Sequence, residues 1–190
     1  FNFLEDLVGY HFNDKSLIKD ALTHPSTPHQ TNSNNYQRLE FLGDSVLNFI
    51  VTTNLIDKYP CINEGDLTTK RANIINKKTL SKCAKAIGLN RYMLIGKSID
   101  KVTEKMLCDT YEALIGAIML DSNIKEVTTF IKKTLLNDIK AYRTKTNYKG
   151  KLIEFCRKNK ISSPKYKTEK KECLFISEVT LLNNEKTYYE

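Results

Sequence analysis

The sequence predicts two units, an all-α domain over residues 1–143 and a smaller α+β unit over residues 147–190. Three observations lead there. Apolar residues recur at i, i+3, i+4 and i+7 through roughly the first 140 residues, the period of helices with one buried face. The stretch Arg143-Thr144-Lys145-Thr146-Asn147 is wholly polar and reads as a linker. Beyond it, one short helical pattern gives way to strand-like runs.

The elements follow in order. Residues 2–8 and 14–22 have helical spacing, and Pro25, Pro28 and the polar run 30–35 form a loop. Asn34 or Asn35 is placed to cap a long helix that stops before Pro60, with Leu39, Leu42, Val46, Phe49, Ile50 and Thr53 as its apolar stripe. Helices are expected over 64–76 and 78–87, the second closed by Gly88. Two more are expected over 103–121 and 123–142, the latter with Ile124, Val127, Ile131, Leu135 and Ile139 on one face. After the linker come a helix over 148–160, strands over 165–169 and 174–182, and a turn at Asn183-Asn184. A third strand would begin at Tyr188-Tyr189 and be cut short, so the second unit reads as incomplete.

Composition narrows the class. A chain of 190 residues, 41% hydrophobic, can bury a core and is not broadly disordered. No contiguous apolar run reaches the roughly 18–20 residues of a membrane helix; Val46 to Ile56 is broken by Asn48, Thr52, Thr53 and Asn54. No membrane association is expected. The chain opens on Phe1 instead of Met, which reads as a fragment or processed product, and no signal-peptide pattern is visible. Cys61, Cys83, Cys108, Cys156 and Cys173 are odd in number and lack a CxxC, which argues against a disulfide scaffold or zinc site. A reducing intracellular compartment, the cytoplasm, fits them. His11, His24 and His29 have no metal spacing, His24 reads as a structural hydrogen-bonding residue, and no Ser-His-Asp order suggests acyl chemistry. Nothing marks an organic cofactor.

The net charge is +8, from 30 basic and 22 acidic residues, and favours a polyanionic partner. Half of the excess lies in residues 147–190, with 10 basic and 6 acidic residues. Lysine dominates the basic residues, which suits phosphate attraction more than bidentate base reading. The strip Lys70, Arg71, Lys77, Lys78, Lys82 and Lys85 is either a solvated face or a backbone track for nucleic acid.

Four acids stand out. Glu40 and Asp44 are i, i+4 on one predicted helix, and Asp109 and Glu112 are i, i+3 on another. Like charges so spaced cost an isolated helix about 0.2–0.5 kcal/mol. Each pair has a glycine beside it, Gly43 and Gly116, and helix-interior glycine costs about 1 kcal/mol relative to alanine. Close approach of the two helices would explain both glycines. Four carboxylates would then converge where burial forbids unpaired charge. Arg38 and Lys105 can pair with some of them. Hard oxygen donors are what Mg²⁺ prefers, and two such ions suit phosphodiester hydrolysis. Spacing alone equally allows solvated acids on amphipathic helices.

These residues carry a resemblance to the ribonuclease III family of double-stranded-RNA endonucleases. The family signature, Glu-Arg-Leu-Glu-Phe-Leu-Gly-Asp-(small)-Val-Leu, is matched by residues 37–47 in all but the first position, which is Gln37. Three further blocks match in order, residues 21–26, 64–72 and 109–117. The resemblance implies an all-α endonuclease domain that works as a homodimer, each subunit cutting one strand and leaving staggered 5′-phosphate and 3′-hydroxyl ends. It implies Glu40, Asp44, Asp109 and Glu112 as catalytic residues and ligands of Mg²⁺, for which Mn²⁺ can substitute. Asp44 and Glu112 would be the main ligands. Glu64, Lys70, Arg71 and Gln37 would face the substrate, and Phe41 would insert into the partner subunit. Residues 147–190 resemble the start of a double-stranded-RNA-binding domain whose C-terminal helix is missing, a module that reads A-form shape. The alternatives are a non-catalytic double-stranded-RNA-binding relative and a helical interaction protein with no RNA role.

Overall fold

The structure is a computed structural model that describes residues 2–27, 35–137, 148–171, 174–183 and 186–188. The chain separates into two compact units, Phe1–Thr144 and Lys145–Glu190.

The first unit is helical: α1 (Asn2–Val8), α2 (Lys15–Leu22), α3 (Gln37–Lys58), α4 (Glu64–Ile74), α5 (Lys77–Ala86), a 3₁₀ turn (Leu89–Arg91), α6 (Glu104–Asp121) and α7 (Ile124–Ile131). A π-helical stretch, Lys132–Leu136, continues α7. Most starts are set by side-chain caps. Asp14, Asn63, Asn76, Thr103 and Asn123 each accept a hydrogen bond from a backbone N–H in the first turn of α2, α4, α5, α6 and α7. The expected helix over 64–76 therefore stops at Ile74, because Asn76 caps α5 instead. The α3 start is built differently: Tyr36 offers no side-chain cap, and Asn35 Oδ1 accepts from Gln37 N at 3.0 Å. Asn34, the other expected cap, lies outside the described residues. Gly88, at φ +77°, closes the α5 region as expected.

α6 is the axis of this unit. It is buried on nearly every side from Met106 to Ile118 and packs against α2, α3, α5 and α7. Around it lie Leu4, Ile18, Leu22, Leu47, Val51, Leu80, Leu89 and Ile131, all fully buried. The buried face of α3 differs from the expected stripe. Leu39, Gly43, Leu47, Ile50, Val51 and Leu55 are covered, whereas Phe49 and Thr53 are exposed and Leu42 and Val46 are half-buried. The reason is Gly43: α6 packs on the glycine side of α3 and rotates Phe49 outward. In α7, Val127 lies buried, with Ile131 and Leu135 beyond it, as expected, but Ile124 is exposed, and the expected helix beyond residue 137 lies outside the described residues. Among the described residues, α3 alone matches a membrane span by length and composition; one side of it packs on α6, while Phe41, Phe49 and Ile56 are exposed.

The second unit contains α8 (Tyr148–Lys158) and an antiparallel sheet of β1 (Lys165–Lys171), β2 (Leu174–Asn183) and β3 (Lys186–Tyr188), in the order β1-β2-β3. The helix ends two residues earlier than expected, where Lys160 takes φ +54°. β1 runs two residues further than expected, paired with β2 up to Lys171↔Leu174. The third strand starts at Lys186 instead of Tyr188, pairing Asn183↔Lys186.

Candidate active site

The site is built on a backbone contact between two helices. A Cβ at Gly43 would overlap the carbonyl oxygen of Glu112, and one at Gly116 would overlap that of Leu39. No other residue type permits this crossing of α3 and α6, which accounts for a glycine inside each helix. The crossing sets Glu40 and Asp44 of α3 opposite Asp109 and Glu112 of α6. Asp109 is 7% exposed, Glu40 and Glu112 are half-buried, and Asp44 faces solvent.

Each acid has its own surroundings. Asp109 Oδ2 accepts from Lys105 Nζ at 2.6 Å, one helical turn earlier, and from Tyr36 Oη at 3.4 Å. Asp44 Oδ1 accepts from Asn48 Nδ2 at 2.9 Å. The Cys108 thiol donates to Glu112 Oε1 at 3.7 Å. Lys105 is the cation expected at the cluster; among the described residues no ion pair reaches Glu40, Asp44 or Glu112.

The electrostatics follow from that shortage of positive charge. Burial, then the charges of Asp44, Asp109 and Glu40, push the Glu112 carboxyl up to about 7. Glu40 is raised by burial and by Asp109 and Asp44, against the opposing pull of Lys105. Burial and the neighbouring carboxylates raise the Tyr36 hydroxyl above its ordinary range and the Cys108 thiol to about 12. The hydrogen bond to Asp109 raises Lys105. The carboxylates repel one another and favour a proton or a cation. The oxygen donors suit a hard divalent ion, and one donor atom from each of Cys108, Asp109 and Glu112 lies within 4.8 Å of the others.

The other residues marked by the sequence fall elsewhere. Phe41 is 80% exposed on the rim of a groove of about 840 Å³, which Gln37, Arg38, Leu17, Leu42 and Leu120 also line. Glu64, Lys70 and Arg71 are on α4. Glu64 accepts from Thr68 Oγ1 at 2.9 Å, and Arg71 donates to Thr52 Oγ1 at 3.0 Å. Both line a pocket of about 200 Å³ between α3 and α4, with Thr52, Leu55 and Ile56. Thr52 is eight residues beyond Asp44, roughly 12 Å along the helix. Lys70 Nζ lies 4.7 Å from the centre of the Tyr59 ring. His24 is structural, as expected: its Nδ1 is 2.7 Å from Ser26 Oγ, and its ring meets Tyr36 edge-on.

Sequence reasoning missed three members of the site. Tyr36 is 73 residues from Asp109, so no local pattern announces it. Asn48 and Cys108 are each i±4 from an acid, a spacing open to inspection; Asn48 reads as an interruption of an apolar run, and Cys108 reads as a core residue, which it is, while its thiol also reaches Glu112.

Comparison with known proteins gives the family. Residues 14–139 match the family model described as ribonuclease-III-like. Ribonuclease 3 of Buchnera aphidicola subsp. Baizongia pistaciae is 38% identical over 173 residues, covering 87% of this chain and 75% of that protein. Ribonuclease 3 of Blochmanniella pennsylvanica is 35% identical over 175 residues, with 87% and 75% covered. The solved nuclease domain of ribonuclease III from Campylobacter jejuni aligns with a TM-score of 0.67 and 34% identity, over 73% of this chain and 95% of that one. Dicer from Pichia stipitis aligns with a TM-score of 0.53 and 25% identity, over 92% and 83%. With the family model matching residues 14–139, more than half of the chain, and the Buchnera relative 38% identical over 87% of it, the chain belongs to the ribonuclease III family of endoribonucleases.

Proposed function

We propose that this endoribonuclease cuts double-stranded RNA as a homodimer, with Mg²⁺, replaceable by Mn²⁺, held by Glu40, Asp44, Asp109 and Glu112. The observation that carries the reading is the convergence of these carboxylates at the Gly43–Gly116 crossing, with the Glu112 carboxyl raised to about 7. A docking protein has no use for such mutual repulsion, which speaks against the non-catalytic alternative.

Asp44 and Glu112 are the main ligands in this reading and orient the attacking water; Glu40 and Asp109 complete the set. Lys105 and Tyr36 hold the Asp109 carboxylate in place by hydrogen bonds to Oδ2. When bound, the ions supply a water of lowered pKa and stabilise the departing oxygen. Water adds to phosphorus and the P–O3′ bond breaks, leaving a 5′-phosphate and a 3′-hydroxyl.

The exposed Phe41 ring beside an apolar groove favours a second copy of the chain, with each Phe41 seated in the other's groove. The Campylobacter jejuni nuclease domain is described as having a region involved in dimer formation. Glu64, Lys70 and Arg71 are assigned to the substrate side, and Gln37, which lines the groove, to the place where the substrate side meets the subunit contact. Residues 1–143 form the nuclease domain and residues 147–190 the opening α-β-β-β of a double-stranded-RNA-binding domain, in keeping with the order α8, β1, β2, β3.

The test is duplex RNA incubated with the protein in Mg²⁺ or in EDTA, alongside the Glu112→Gln variant. Staggered products in Mg²⁺ alone, lost in the variant, are expected. A variant that cuts like its parent overturns the assignment of the acids.

A further inference from the structure

Cys108 brings sulfur to the acid cluster. Its Sγ is 3.7 Å from Glu112 Oε1, and both face the same side of α6 at i, i+4, the spacing at which two ligands on one helix meet a metal. A tetrahedral ion with bonds of about 2.3 Å to sulfur and about 2.1 Å to oxygen separates those two donors by about 3.6 Å. The observed 3.7 Å is close to that value, so the pair closes on such an ion with little rearrangement. Asp109 supplies a third donor within 4.8 Å of both. Mg²⁺ does not use thiol ligands, whereas Zn²⁺ and Cd²⁺ favour them.

We propose that Cys108, Asp109 and Glu112 form a mixed sulfur–oxygen site for a thiophilic divalent ion, of which Zn²⁺ is the type, and that filling it stops RNA cleavage. This rests on the reading that Asp109 and Glu112 serve the catalytic ion. The inhibitory ion takes up a donor oxygen of each of these carboxylates and leaves Glu40 and Asp44 alone to hold Mg²⁺. Binding replaces the S–H bond with a metal–sulfur bond; the proton passes to solvent, and nothing is oxidised or reduced. The competing explanation is an ordinary contact between a thiol and a carboxylate one helical turn apart.

The experiment titrates Cd²⁺ into the full chain after chelator has been removed. A thiolate-to-cadmium charge-transfer band in the ultraviolet is expected in the parent and in Cys61→Ala, which lacks the one exposed thiol among the described residues. The band from this site is expected to be absent in Cys108→Ala and in the near-isosteric Cys108→Ser, with far-ultraviolet circular dichroism reporting their fold. In Glu112→Gln, which keeps the thiol, it should need at least about tenfold more Cd²⁺. In parallel, the Zn²⁺ that halves each protein's own Mg²⁺-dependent cleavage should rise at least about tenfold on loss of the sulfur. Equal bands and equal Zn²⁺ sensitivity in parent and Cys108 variants would overturn the site while leaving the nuclease reading intact. A Cys108-dependent band in a parent that shows no Mg²⁺-dependent cleavage would overturn the nuclease reading and keep the metal–sulfur bond.

Discussion

The backbone of Gly43 lies against the carbonyl oxygen of Glu112, so close that a single methyl group at Gly43 would overlap it. The carboxylates on either side are brought together by that contact. Gly43→Ala is expected to force α3 and α6 apart. Alanine gains about 1 kcal/mol of helix propensity, but overpacking against rigid backbone costs about 1–3 kcal/mol or more. A lowered melting temperature and a Mg²⁺ requirement raised at least about tenfold are expected. Differential scanning calorimetry and cleavage at graded Mg²⁺ measure the two. An unchanged Mg²⁺ requirement would show that the crossing does not set the acid geometry.

A pH dependence follows from Glu112. Its carboxyl is raised from an ordinary 4.5 to about 7, so the folded chain holds this proton more tightly than the unfolded chain does. Stability from this group is present below pH 4.5 and is lost as pH rises through about 7. Without divalent ions, the melting temperature should fall between pH 5 and pH 8 from this contribution, and Glu112→Gln should flatten the fall. Mg²⁺ should stabilise the chain more at pH 8 than at pH 5, since it competes with the proton for the same oxygens. Thermal melts in EDTA and in Mg²⁺ across that range decide it.

Lys105 offsets part of the repulsion. Its ammonium bridges Asp109 at 2.6 Å, while the lysine side chain is 66% exposed and the aspartate 9%. Lys105→Met keeps the apolar stem and removes the charge, leaving a buried carboxylate with the 3.4 Å contact from Tyr36. Solvent screening around the lysine limits the loss to about 1 kcal/mol. Urea unfolding of the metal-free chain should show a shifted midpoint, and the shift should shrink in saturating Mg²⁺, where the ion supplies the missing charge.

Much of this site is legible in the amino-acid sequence, for a physical reason. Helix period and the cost of glycine are local properties, so spacing groups Glu40 and Asp44 with Gly43 and groups Asp109 and Glu112 with Gly116; that the two groups meet is seen only in the contact between the helices. The side of α3 that is buried is not a local property. Phe49 and Thr53 sit on a plausible apolar stripe, but the covered side is the one carrying Gly43, and only the partner helix decides that. The π-helical stretch at Lys132–Leu136 has the same character. Tyr111 and Thr134 meet there at 2.7 Å across 23 residues, a tertiary contact with no trace in helical periodicity.

Phe41 separates assembly from folding. The ring is 80% exposed on the rim of its groove, so removing it from a single chain uncovers almost nothing and should leave the intrinsic stability of one copy nearly unchanged. In a dimer that seats each ring in the other's groove, the same removal deletes a buried aromatic twice, each worth about 2 kcal/mol or more at an interface hot spot. Phe41→Ala should therefore weaken self-association at least a hundredfold on this scale, about 1.4 kcal/mol per decade. Sedimentation equilibrium over a concentration series reads the association directly, and circular dichroism at low concentration reads the fold. Dimers that persist in Phe41→Ala at the parent's concentration range would place the subunit contact elsewhere on the chain.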